Sequence, residues 1–189
     1  MPTSPAPSPS QIATLFLARS REHLLVEYRA KLRAAVLALP QDALWWRANE
    51  LSNSVGNLVL HLTGNVRQWI VGGVGGEQVE RDRASEFAAR TGPSADVLLQ
   101  NLDAALDDVG RVLGALTEAD LLASRTIQGR DTTVMDAIYH VVEHFSMHLG
   151  QIVLIAKLHA PGALQFYEDA GGLAKPVWKP IQAPPTGSH

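Results

Sequence analysis

Apolar residues recur every three or four positions over four long stretches, the spacing that lines one face of a helix. The first stretch, Ser10 to Leu39, carries Leu24, Leu25, Tyr28, Leu32, Val36 and Leu39 and stops at Pro40. A linker with Trp45 and Trp46 leads to Ser52-Asn53-Ser54, a run of good N-cap residues. From there a second helix is expected to Ile70 or Val71, closed by Gly72-Gly73-Val74-Gly75-Gly76. Residues 77–91 are charged and read as a surface excursion. Pro93-Ser94 opens a third helix with Leu98, Leu102, Leu106, Val109 and Leu113 on its apolar side, and residues 117–131 form a connection turning at Gly129. Thr133, three residues before Asp136, caps a fourth helix that reaches about His159 and ends at Pro161-Gly162. No stretch sustains period-two alternation, so no strand is expected. The pattern predicts an all-α, antiparallel four-helix bundle with a long connection between helices 2 and 3 and irregular termini; a longer irregular helical fold is the alternative.

The ends set the domain limits. Residues 1–10 hold four prolines and no basic residue, so they read as a disordered lead-in and neither a secretory signal nor a transit peptide. Residues 11–175 form the single folded unit, and 176–189, with Pro176, Pro180, Pro184 and Pro185, a flexible tail. The 189 residues are 46% hydrophobic, enough for one buried core. With 16 Lys plus Arg against 19 Asp plus Glu, the chain has no basic excess to suggest a nucleic-acid partner. No apolar run approaches the ~20 residues of a membrane span, so no membrane partner is expected. Cysteine is absent, which excludes disulfides, thiolate metal sites and a cysteine nucleophile, and suits a reducing, cytoplasmic setting. Seven histidines remain as the candidate chemistry.

Three of them form a ladder on the fourth helix: His140, His144 and His148, at spacing four. Each step of four advances about 40° round the helix, so neighbours on the ladder can close on one divalent ion. His144 and His148 border the apolar stripe of Ile138, Val141, Phe145 and Ile152, where a polar group needs a partner. His140 and His148 are two turns, ~12 Å, apart and cannot both serve one ion. A metal and an ordinary hydrogen-bonded role weigh about equally for this pair. An ion would also need a ligand from another helix. On the second helix Ser54, Asn57, His61, Asn65 and Gln68 share a stripe centred on His61, with Gly64 leaving room for a neighbour to approach. That helix has no clean outer face, and periodicity leaves open whether the stripe is buried or solvated.

Asn57-Leu58-Val59-Leu60-His61-Leu62, followed far downstream by His144-x-x-x-His148-x-Gly150-Gln151, resembles the DinB/YfiT-like superfamily. The resemblance covers roughly residues 11–160 and rests on about ten positions. It implies a four-helix bundle with His61, His144 and His148 as metal ligands and His140 beside them. Asn57, Asn65 and Gln151 are then outer-sphere or substrate-contacting candidates. The family often has Arg after the last histidine; this chain has Leu149. Glu143 points about 100° away from His144 and reads as surface charge.

Three neutral imidazoles leave coordination positions open, as in catalytic sites. Zinc or nickel is the expected ion, with iron or manganese compatible. Relatives that act on low-molecular-weight thiols imply a thiol cosubstrate, a small-molecule substrate and a metal-dependent S-transferase or hydrolase. The alternative is a non-catalytic interaction or stress-response module, with a structural metal or a decayed pocket lined by Trp45, Trp46 and Trp69. The absence of a polar outer face on the second helix suggests a homodimer.

Overall fold

The computed structural model describes residues 8–178. The lead-in expected over 1–10 lies outside this range up to residue 7, and the tail expected over 176–189 from residue 179. Residues 8–10 already belong to the first helix, because Ser8 caps it through a reciprocal pair with Gln11 and Pro9 occupies its first turn. Helix α1 (Pro9–Arg21) passes through a π-helical stretch (Glu22–Tyr28) into α2 (Arg29–Leu37), forming one rod.

Ser54 and Asn57 make the capping box of α3 (Val55–Val66), which continues as a second π-helical stretch (Arg67–Val74). The wider i→i+5 winding brings Trp69, Ile70, Val71 and Val74 all inward, more than one α-helical face can carry. Helix α4 (Arg83–Ala88) is short and capped by Asp82. Helix α5 (Ala95–Ala115) starts at Ser94 and buries its Leu98-Leu102-Leu106-Val109-Leu113 stripe, and α6 (Val134–His159) starts at Thr133. Between them lies a hairpin, β1 (Ser124–Ile127) paired with β2 (Arg130–Thr133), which periodicity did not reveal because each strand has only four residues. Its turn, Gln128-Gly129, has φ of 53° and 72°, the paired positive values of a two-residue hairpin loop. A second hairpin, β3 (Tyr167–Asp169) with β4 (Ala174–Pro176), docks through the Tyr167 hydroxyl on Lys31.

These elements make the expected four-helix bundle. The α1–α2 rod packs on α5 and α6, and the α3 rod packs on the same two helices from the other side. The directions are mixed. Leu60, Gly64 and Arg67 of α3 lie beside Leu98 and Asn101 of α5, and Gly75 beside Val112, so α3 and α5 run parallel. Parallel neighbours cannot be joined by a tight turn, so residues 75–94 climb back along the bundle. The climb is marked by Glu77 at Arg111, Arg81 at Gln68, Glu86 at His61 and Ala89 at Asn57. Much of α3 is therefore covered: within it only Leu60, Thr63 and Gly64 are half-buried, the rest buried. The missing outer face of this helix is explained by the return segment. No helix among the described residues is long and apolar enough to cross a membrane.

Candidate metal centre

Antiparallel packing of α6 on α3 brings the middle of each helix to the same level. There the Nε2 atom of His144 lies 3.1 Å from that of His61 and 3.2 Å from that of His148. One ligand atom from each of the three falls within a 4.8 Å span. His61 and His148 are buried and His144 half-buried. Metal–nitrogen bonds of ~2.0–2.1 Å at tetrahedral to octahedral angles hold ligand nitrogens ~2.9–3.4 Å apart. The two separations from His144 fall within that range, and the His61–His148 pair lies within the 4.8 Å span.

The outer nitrogens fix the tautomers. His61 Nδ1 sits 2.9 Å from Oε2 of Glu86, and His148 Nδ1 sits 2.8 Å from Oε1 of Gln151. Both oxygens accept only, so both imidazoles carry their proton on Nδ1 and aim a lone pair from Nε2 at His144. Arg81 Nη2 also comes within 3.1 Å of His61 Nδ1, but a lone pair there would face the Glu86 carboxylate, so the arginine hydrogen goes to Glu86 Oε2 at 2.7 Å. His144 can donate to one neighbour at most, and its own Nδ1 is buried without a hydrogen-bond partner among the described residues. Without a cation, lone pairs converge on one point, an arrangement that a cation stabilises and water-free packing does not. The donor set fits a divalent metal ion.

Burial at the site favours the neutral form of His144 and His148. Burial, reinforced by His148, His61 and His140, pushes His144 down to about 3. Burial also lowers His148, partly opposed by the Gln151 hydrogen bond. For Glu86, burial pushes the carboxyl up, but hydrogen bonds from Arg81 and His61 outweigh it and hold the group below the usual carboxylate range. Neutral imidazole and ionised carboxylate are the states a metal centre with an outer carboxylate requires.

Other sequence candidates have different surroundings. Asn57 spends its polar atoms on the cap of α3, on Arg47 and on the carbonyls of Glu86 and Ala89; it pins the return segment and does not face the imidazoles. Asn65 is buried, its Oδ1 without a partner among the described residues. His140 packs on Trp69, ring centroids 4.3 Å apart, and lies 5.5 Å from the His144 ring. Gln151 holds His148. Leu149 is buried in the core, and Glu143 is exposed. The three tryptophans separate: Trp45 packs over Gly56 and Gly92, Trp69 on His140, and Trp46 lines an apolar groove of about 380 Å³ with Leu58, Gln151, Leu154 and Leu158.

Pattern reading assigned Arg81 and Glu86 to a solvated loop; in the fold their side chains are only 5% and 10% exposed. One signal was present in Gly64, one turn beyond His61. A Cβ there would collide with Glu86 Oε1 and lie 2.7 Å from Arg81 Nε, so the glycine makes room for side chains rather than backbone.

A family model described as Protein of unknown function (DUF1572) matches residues 11–166. Among solved structures, the crystal structure of a DinB-like protein from Bacillus cereus is similar, with a TM-score of 0.55 and 16% identity, covering 72% of this chain and 91% of that one. At that identity the likeness establishes the DinB-like fold alone. No curated protein matches.

Proposed function

The chain belongs to the family described as Protein of unknown function (DUF1572), and because that description assigns no activity we propose a function from the site itself. His61, His144 and His148 hold one divalent ion, zinc or nickel, in a metal-dependent enzyme of the thiol S-transferase or hydrolase type that acts on a small molecule. The observation that carries this reading is the convergence of three Nε2 atoms at 3.1 and 3.2 Å while Glu86 and Gln151 occupy two of the outer nitrogens. Such an ion would supply Lewis acidity, polarising an oxygen or sulfur donor in its remaining positions. The protein's part is positioning. Glu86 orients His61, Gln151 orients His148, and the Phe87 ring, 4.5 Å from the His61 ring, shields that side from water. The groove beginning at Gln151 provides apolar surface for the body of a substrate.

Elemental analysis of the purified full chain tests the centre. One equivalent of divalent metal is expected, lost in His61→Ala and His148→Ala; a wild-type chain that neither contains nor takes up zinc or nickel overturns it. A second reading has its own support, since the ligands come from two helices and an ion would staple α3 to α6. Addition of a low-molecular-weight thiol to the cobalt-substituted protein separates the two. A changed visible spectrum supports an open position, whereas an unchanged spectrum with a lower melting temperature on chelation supports the staple. Homodimerisation would use a different surface from α3 and from the groove: the exposed Tyr139 and Met147 of α6. Light scattering at the mass of one chain overturns it.

A further inference from the structure

The return segment does more than cover α3. Arg81 grips Glu86 with two hydrogen bonds, Nε to Oε1 and Nη2 to Oε2, both 2.7 Å, and Glu86 Oε2 is also the acceptor for His61 Nδ1–H. Arg81 is further tied to Gln68 Oε1 at 2.7 Å, and Asn57 Nδ2 binds the Glu86 backbone carbonyl, so the guanidinium and the Glu86 backbone are each held from a second side. One carboxylate thus divides its charge between an imidazole and a guanidinium, nearly out of water.

We propose that Glu86 and Arg81 are opposed positioning residues that set how tightly His61 binds a cation. A carboxylate accepting from the outer nitrogen fixes the ring and makes the inner nitrogen more basic, which strengthens binding. The guanidinium acts the other way: it withdraws carboxylate charge and places its own positive charge 3.1 Å from the ring. The pair makes the centre weaker than a histidine–carboxylate couple alone, and leaves more of the ion's charge for a further ligand. This rests on the metal reading above.

The test is zinc affinity of the full chain at about pH 8, by competition with a chromophoric chelator, for Glu86→Gln, Arg81→Met and the double variant, alongside melting temperatures of the metal-free proteins. Glu86→Gln should weaken zinc binding by about 10- to 100-fold. Arg81→Met should tighten it. Both single variants should lower the melting temperature, because each leaves a buried partner behind. A purely structural role would move affinity and melting temperature downward together in both. If Arg81→Met does not fold, the double variant, which leaves no unpaired charge, should recover part of the affinity lost in Glu86→Gln. Affinity unchanged in Glu86→Gln, or a double variant weaker than Glu86→Gln, overturns the inference. His61→Ala separates the two readings: if it binds zinc like the wild type, the metal centre itself is wrong, whereas its loss of binding leaves only the tuning in question.

Discussion

Two of the arginine–carboxylate clusters among the described residues have nearly equal distances and different degrees of burial. Between the α1–α2 rod and α5, Asp103 receives Arg29 at 2.7 Å and Arg33 at 2.6 Å, with Asp107 taking a second contact from Arg29 at 2.7 Å. Those side chains are 21–68% exposed. On the far side of α3, Arg81 meets Glu86 at 2.7 Å with side chains 5% and 10% exposed. Distance alone does not rank them. In water an ion pair is screened and competes with hydration, so it contributes little; out of water each charge depends on its partner, and His61 is drawn into the arrangement.

The largest effect is expected for Glu86→Ala. It strands the Arg81 guanidinium in a nearly dry site, and urea unfolding of the metal-free protein should show a loss of about 3–5 kcal/mol. A loss below ~1 kcal/mol would mean the pair is effectively solvated.

Acid gives a smaller, graded effect on the same region. The folded state holds His144 down to about 3, while an unfolded histidine titrates near ~6.5. Between those values the unfolded chain binds more protons, so stability falls as pH drops through about 6.5 and the penalty levels off only near the folded value. Urea midpoints of the metal-free protein from pH 7.5 to 4.5 should fall accordingly, and less steeply in His144→Gln. A pH-independent midpoint would contradict the neutral, desolvated imidazole.

The smallest effect belongs to the more exposed of the two clusters. Asp103→Asn should cost about 0.2–1 kcal/mol, and the difference from wild type should shrink in about 0.5 M salt. A larger, salt-insensitive loss would show that this cluster is as dry as the other.

How far each region could be read in advance follows the same division. The rods were legible because helix formation is announced locally, by Ser54, Ser94 and Thr133 as caps, Pro40 and Pro161 as stops, and apolar residues at helical spacing between them. The hairpin Ser124–Thr133 was not, since four-residue strands carry too few alternations to count, although Gly129 was legible as its turn. The π-helical stretches left no pattern distinguishable from an ordinary helix. Residues 77–91 look solvated because they are rich in charge and carry no apolar periodicity that would mark a buried face. Arg81 and Glu86 find each other only when the loop folds on itself, and find His61 only when α3 is beside it.

The order of residues alone therefore determined four apolar rods, their caps and stops, and a ladder of imidazoles on the inward border of the last one. These are short-range properties, set by side-chain spacing and backbone geometry. What only the tertiary structure decided is which rods are neighbours, that two of them run parallel, and that a charged connection must consequently climb the bundle and lie against His61. A carboxylate gains or loses its place beside an imidazole according to contacts across 25 residues of chain. Such contacts depend on the packing of whole helices, which periodicity along one segment does not encode.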